Sequence, residues 1–332
     1  MNTVTAAAHE QVLAELREAD KLLLTTHENP DGDALGSLLA MHMILEQLGK
    51  DSVMYMSPDE FPLPSEYQSF RFDGMVGSAP GDVAERTIVF LDCGNIDRMP
   101  VDFLKQDGLH VLNIDHHHDN TNFGTANLVV GDASCTAEIV FGLAGELGAQ
   151  ITLPIADALY VALVTDTGRF MYENTTPEAH EMAAELIRAG VEPHDVYRRL
   201  YEDLPFSRLE LLSRALSSVE RHDGGAITVA HLTKADFEET EAVETDAEGI
   251  VDHMRAVEGT AVAVLVRELL SDDRAGLRKV SLRATDGRVD VSAIAREMGG
   301  GGHRQAAGFT TELPYDRLLE TLRERIAAQL RG

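Results

Sequence analysis

Six side chains of the right kind to hold metal ions are spread over four short stretches of this sequence. His27, Asp31 and Asp33 fall together in His27-Glu28-Asn29-Pro30-Asp31-Gly32-Asp33. Asp92 follows the apolar run 87–91, and His116 lies in Asn113-Ile114-Asp115-His116-His117-His118-Asp119-Asn120. Asp166 stands in Thr165-Asp166-Thr167-Gly168, after a long apolar segment. Four carboxylates gathered in one crevice would repel one another and raise some of their own pKa values. Divalent cations resolve that repulsion. Mixed imidazole and carboxylate donors without thiolate suit Mn²⁺ first, and less selectively Mg²⁺, Fe²⁺, Co²⁺ or Zn²⁺. Alone, each stretch has a plainer reading: Asp31-Gly32-Asp33 as a turn or helix cap, Asp92 as a cap, the histidines as a solvated loop. The set points to chemistry. His42, His110, His118 and Asp119 are left as structural residues or as supports behind the ligands.

The elements that must position these residues follow from periodicity. Residues 9–19 and 34–48 carry helical patterns, the second ending at Gly49, a C-terminal cap. Residues 21–26, 52–56, 87–91 and 110–114 read as strands, and 57–81 as an irregular excursion. Helices are expected at 135–147, with Asp132 or Ser134 as cap, and at 154–164, 177–189, 193–200 and 206–219. Strand, acidic loop, helix is the opening unit of a doubly wound sheet, which places ligands at the carboxyl ends of its strands. The fold class expected is therefore α/β, with a doubly wound, mostly parallel sheet and a smaller α/β C-terminal domain. We place the first domain at 1–200, a helical linker at 201–220 and the second domain at 221–332.

In that second part, 226–232, 260–269 and 277–283 are β-rich, with helices at 291–298 and 314–330. Gly299-Gly300-Gly301-Gly302 precedes His303-Arg304-Gln305-Ala306-Ala307-Gly308. Four glycines let backbone N–H groups approach a phosphate closely, and a flexible hairpin is the competing reading. No Gly-Lys-Ser/Thr follows, which excludes a nucleoside-triphosphate P-loop.

Composition bounds the partners. The 332 residues are 44% hydrophobic and 25% charged, an ordinary globular balance, with a formal net charge of -28. Such acidity argues against a groove that tracks long nucleic acid by neutralising phosphates. Cys93 and Cys135 are too few for a disulfide scaffold and are expected to be reduced core residues. The first ten residues lack the basic region and apolar core of a secretory signal, and no apolar run approaches a membrane span, so a soluble cytoplasmic protein is expected.

In this order the motifs resemble a known family. His27-x-x-x-Asp31-x-Asp33, the isolated Asp92, Asp115-His116-His117 and Thr165-Asp166-Thr167-Gly168 resemble the four motifs of the DHH phosphoesterase superfamily. The glycine run with His303 and Ala306-Ala307-Gly308 resembles the signature of its RecJ-type C-terminal domain. The likeness spans roughly 21–311 and is closest to NrnA-type oligoribonucleases, which also dephosphorylate 3′-phosphoadenosine 5′-phosphate. It implies that His27, Asp31 and Asp92 hold one metal and that Asp33, Asp92, His116 and Asp166 hold another. Two such ions, most simply Mn²⁺ with Mg²⁺ or Co²⁺ as substitutes, activate water for in-line attack on phosphorus. It further implies that Asp115 orients a histidine and that His117 faces the transition state. Arg283, Gly300, Gly301, Gly302 and His303 would grip the substrate, with Ser281 and Arg304 as lesser candidates, and catalysis would take place in a cleft between the domains. The expected substrates are short RNA, linear dinucleotides or bisphosphorylated nucleotides, with no long nucleic acid and no membrane; a homodimer is compatible with the resemblance. A cyclic dinucleotide phosphodiesterase and a non-catalytic nucleotide sensor are the alternatives.

Overall fold

The computed structural model describes residues 3–331 except 100, 203, 272, 273 and 286, and leaves out the side chains of residues 3–5, 65 and 303. The chain divides into two compact units, 1–202 and 203–332. Among the described residues, no helix is long and apolar enough to cross a membrane.

The first unit runs α1 (Thr3–Glu18), β1 (Lys21–Thr25), α2 (Gly32–Gln47), β2 (Asp51–Met54), β3 (Thr87–Leu91), β4 (Val111–Asp115), β5 (Ala126–Val129), α3 (Thr136–Leu147), α4 (Leu153–Asp166), α5 (Pro177–Arg188) and α6 (Pro193–Tyr201). Its five strands are all parallel, in the order β2-β1-β3-β4-β5. Leu22 to Leu24 and Ile88 to Leu91 are wholly buried. This is why the strands read as unbroken apolar runs: a parallel sheet is covered on both faces. The order reverses between β1 and β3, and a doubly wound sheet binds ligands at that switch. The loops carrying His27 and Asp92 leave those two strands.

Two sequence expectations need correction here. β5 was not foreseen, because Asn127 interrupts a four-residue edge strand that is only half buried. The cap of α3 is neither Asp132 nor Ser134: Cys135 occupies the N-cap position without a side-chain bond. Instead Asp33, far away in sequence, accepts the Thr136 and Ala137 N–H groups at 2.7 and 3.0 Å. A carboxylate at a helix N-terminus satisfies orphan donors and opposes the positive end of the dipole.

The second unit contains α7 (Phe206–Ser217), β6 (Glu220–His222), β7 (Ile227–Leu232), α8 (Lys234–Thr240), α9 (Ile250–Arg255), β8 (Val262–Glu268), β9 (Arg278–Ala284), α10 (Val291–Glu297), β10 (Gly301–His303), β11 (Ala306–Thr311) and α11 (Tyr315–Arg331). Its sheet has the order β10-β11-β9-β8-β7-β6, parallel only between β7 and β8. Strand alternation splits its core: Val262, Val264 and Val266 join α10 and α11 on one face, while Ala263 and Leu265 join α7, α8 and α9 on the other. Helix α7 packs here through Leu211 and Ala215.

The glycine run is not a loose hairpin. Gly301 to His303 form an edge strand paired with Gly308 to Ala306. A Cβ on Gly300 would sit 2.1 Å from the Gly308 carbonyl oxygen, so close backbone packing requires that glycine. Gly301 is different: nothing lies within 4 Å of where its Cβ would be.

Candidate metal centre

The site is assembled at the carboxyl ends of β1, β3 and β4 and at the facing ends of α2 and α4. Asp31 is the N-cap of α2, its Oδ1 accepting the N–H groups of Asp33 and Ala34 at 3.0 and 3.1 Å. Gly32 follows it for a spatial reason. A Cβ there would lie 2.3 Å from Thr165 Oγ1, so only glycine lets the start of α2 press against the end of α4. That contact brings Asp33 to Asp166. Asp92 ends β3 with φ of 55°, in the left-handed region that Asp and Asn tolerate better than most residues. Strained positions of this kind cluster at functional sites.

Both candidate imidazoles have a defined orientation. His27 Nδ1 lies 2.7 Å from the Glu28 carbonyl oxygen, and His116 Nδ1 lies 3.3 Å from that of Ala133. A carbonyl only accepts, so in the neutral rings each Nδ1 carries the hydrogen and each Nε2 lone pair faces inward. His27 Nε2 is 3.6 Å from Asp92 Oδ2. His116 Nε2 is 3.6 Å from Asp92 Oδ1, 3.6 Å from Asp166 Oδ2 and 3.9 Å from Asp33 Oδ2. Acceptors thus face acceptors, just beyond hydrogen-bond reach. Two donors about 2.1 Å from one ion stand about 3.0–3.4 Å apart, so a small contraction suffices. His27 with Asp31 and Asp92, and Asp33 with His116 and Asp166, each form a group whose donor atoms lie within 4.8 Å of one another.

The electrostatics agree with this fit. Burial, followed by the charges of Asp92 and Asp166, pushes Asp33 well above the usual carboxylate range. Burial likewise raises Asp166 to about 7, with Asp31 and Asp92 adding to it. Burial disfavours a charged His116, yet Asp166, Asp92 and Asp33 outweigh it and raise the ring to about 10. Asp92 is also penalised by burial, but His27, His117 and His116 hold it well below its ordinary range. With only protein groups available, protons would have to share out this negative charge. Divalent cations do so with the donors left unprotonated. Neither thiol competes as a ligand: burial pushes Cys93 up to about 12 and holds Cys135 well above the usual thiol range.

His117 and Asp115 form a separate pair. His117 Nδ1 donates to Asp115 Oδ1 at 2.7 Å, and Asn120 Nδ2 donates to Asp115 Oδ2 at 2.5 Å. His117 also places Nδ1 3.6 Å from Asp92 Oδ1. His118 is exposed and stands apart.

Four residues here carried no assignment from the sequence. Thr136 donates its hydroxyl to Asp92 Oδ1 at 3.0 Å. Asn120 holds Asp115. Asn174 Nδ2 spans the Asp166 carboxylate and carbonyl, both at 3.1 Å, and the Ser134 carbonyl at 2.8 Å. Arg98 Nη1 lies 3.5 Å from His117 Nε2. Neighbouring hydrogen bonds of this kind orient metal ligands. Only Asn120, inside the histidine stretch, lay where the sequence had drawn attention.

In the second unit, Arg283 is half buried, with Nε 3.5 Å from Asp252 Oδ1 and Nη1 donating to the Leu282 carbonyl. Strand register puts residues 303, 306 and 283 in one row across β10, β11 and β9. The His303 side chain lies outside the described residues. Ser281 occupies the same face of β9 as Arg283, and Arg304 is tied to the Gly287 carbonyl.

A parallel sheet whose switch point gathers imidazole and carboxylate donors defines an α/β protein with a candidate site for divalent cations. The chain belongs to the DHH family of phosphoesterases: the DHH family N-terminal domain matches residues 21–163 and the DHHA1 domain residues 226–331. It is 35% identical, over 95% of its length and 94% of the relative's, to a Thermus thermophilus protein described as bifunctional oligoribonuclease and PAP phosphatase NrnA. A Bacillus subtilis protein of the same description is 27% identical over 87% of this chain and 88% of its own. The crystal structure of an exopolyphosphatase-related protein from Bacteroides fragilis superposes with a TM-score of 0.84 at 24% identity, covering 98% of this chain and 97% of that one, and shares the fold.

Proposed function

We propose that this phosphoesterase is an Mn²⁺-dependent phosphodiesterase. It hydrolyses short oligoribonucleotides and linear dinucleotides to nucleoside 5′-monophosphates, and 3′-phosphoadenosine 5′-phosphate to AMP. Asp92 carries the reading. Its two oxygens face two different ligand groups, Oδ2 toward His27 and Oδ1 toward His116, each at 3.6 Å. A carboxylate so placed suits a bridging ligand between one ion held with His27 and Asp31 and a second held with Asp33, His116 and Asp166. Two bound ions supply an activated water and charge stabilisation at phosphorus.

The remaining work falls to the chain. Asp115 fixes the His117 ring through Nδ1, and Nε2, beside Arg98 Nη1, is the atom that would meet a phosphoryl or leaving-group oxygen. Asn174 and Thr136 keep Asp166 and Asp92 in place. Arg283 and the backbone of Gly300, Gly301 and Gly302, together with His303, hold the nucleotide distal to the scissile bond. The activities named for the Thermus and Bacillus relatives support the substrate class. A net charge of -28 supports short substrates over long ones.

The test is a substrate panel with Mn²⁺: pApA, RNAs of increasing length, 3′-phosphoadenosine 5′-phosphate, cyclic di-AMP and pyrophosphate. Fast release of AMP from pApA and the bisphosphate is expected, with turnover falling beyond about five nucleotides as phosphate tracking fails. Processive degradation of long strands at equal or greater rate, or hydrolysis of pyrophosphate alone, would overturn the reading.

A further inference from the structure

Arg98 stands beside the metal centre and, among the described residues, pairs with no carboxylate. Its guanidinium reaches His117 Nε2 at 3.5 Å. Some arginines of the same unit are taken up by carboxylates, Arg86 by Asp51 and Asp82, Arg188 by Glu185 and Arg199 by Asp157, whereas Arg17 donates to the Glu146 carbonyl and Arg169 lies over the Tyr201 ring. Nearby Lys105 is held by Asp97.

The position of Arg98 is fixed by the backbone. Asn95 Oδ1 accepts the Asp97 N–H at 3.0 Å, closing a tight turn, and the Arg98 carbonyl accepts the Glu28 N–H at 2.7 Å. The turn is thereby tied to the loop that carries His27. A half-buried guanidinium anchored there, with Nη1 3.5 Å from Nε2 of the histidine proposed above to face the substrate, has the chemistry to receive phosphoryl oxygens.

Charge gives this receptor a selective task. Two divalent ions held as proposed would balance the charges of Asp31, Asp33, Asp92 and Asp166. A scissile phosphodiester then brings one negative charge, whereas a terminal phosphomonoester brings nearly two. The surplus has to meet a cation of the protein. We propose that Arg98 binds non-bridging oxygens of the scissile phosphate and sets how well the site accepts a terminal monoester relative to a diester. This rests on the phosphoesterase function proposed above.

The pair pApA and 3′-phosphoadenosine 5′-phosphate isolates the effect, because both carry the same 5′-phosphoadenosine and differ at the scissile group. kcat/KM for both is measured with wild type, Arg98→Gln and Arg98→Lys, alongside metal content, melting temperature and the binding isotherm of inorganic phosphate. Loss of a charge-assisted contact predicts a fall of about ten- to a hundredfold for the bisphosphate in Arg98→Gln. The fall for pApA should be several times smaller, and Arg98→Lys should recover part of the bisphosphate activity. Phosphate affinity should drop at least about tenfold with metal content unchanged. Equal losses on both substrates, unchanged phosphate affinity, or loss of metal in Arg98→Gln would each overturn the proposal. Wild-type protein inactive on both substrates would instead refute the proposed function, and the phosphate isotherm would still decide the role of Arg98.

Discussion

Replacing Asp92 by asparagine removes one negative charge and almost nothing else. Asparagine tolerates the left-handed backbone at φ 55° and keeps an oxygen to accept the Thr136 hydroxyl, now at 3.0 Å. Metal-free Asp92→Asn should melt below wild type, because the neutral amide also gives up the pairing with His27, His117 and His116 that holds the Asp92 carboxyl low. Asp92→Ala should do worse, losing about 1 kcal/mol to the left-handed backbone and about 1 kcal/mol to the abandoned hydroxyl. The ions discriminate further. A ligand present at a hundred times its Kd stabilises the folded state by about 2.7 kcal/mol, so two sites give about 5 kcal/mol. For a unit of this size, about 2–4 °C per kcal/mol makes that a rise of roughly 10–20 °C on adding Mn²⁺ to wild type. Asp92→Asn should show less than about half of it, because both ions lose a shared ligand. Melting followed with and without Mn²⁺, together with metal content after dialysis, reads this without any activity assay. A full metal-dependent rise with two ions retained in Asp92→Asn would refute the bridging role.

The remaining predictions address how the ligands and the substrate are held. Asn174→Ala should weaken one metal site about 10–100-fold by freeing Asp166, as read by Mn²⁺ titration; unchanged affinity would remove Asn174 from the site. Gly301→Ala should leave the melting temperature nearly untouched, since open space surrounds that position, yet raise KM for pApA, whereas Gly300→Ala should destabilise the second unit by more than about 2 kcal/mol through backbone collision. An unchanged KM in Gly301→Ala would exclude that residue from substrate contact. His117→Ala should lower kcat with metal retained, while Arg283→Ala should mainly raise KM for dinucleotides by the worth of one charge-assisted contact, about 1.5–3 kcal/mol. A chromogenic phosphodiester without the distal nucleotide should respond to His117→Ala alone, and equal damage to it by Arg283→Ala would contradict the division of roles.

The strands and the chemistry at their ends were readable because both are local. Buried parallel strands show as apolar runs, and turn residues mark where each loop begins, so His27, Asp92 and His116 could be placed before any tertiary contact was known. The support around them is non-local. Thr136 meets Asp92 across 44 positions, and Asp33 meets Ala137 across 104. No periodicity encodes such a pairing. The expected cap of α3 failed for this reason: the local candidates Asp132 and Ser134 lost to a carboxylate delivered by another helix. Arg98 escaped notice because a lone arginine in a polar turn looks solvated until its neighbours are known. The glycine run left two readings open from composition alone, close backbone approach and a flexible hairpin; its pairing with β11 depends on contacts that composition does not encode.

The capping of α3 by Asp33 also bears on how the protein is made. The two partners lie 103 positions apart, about 5–20 s of synthesis at roughly 5–20 residues per second. Asp166 emerges later still. The early segment His27 to Asp33 offers an emerging chain only an incomplete donor set, while its later acid is destined for a helix not yet synthesised. Complete coordination therefore waits until the parallel sheet exists. If the site holds ions as proposed, they would meet a donor set already gathered by the fold and be chosen more by shape and coordination preference than by their grip on an unfolded chain.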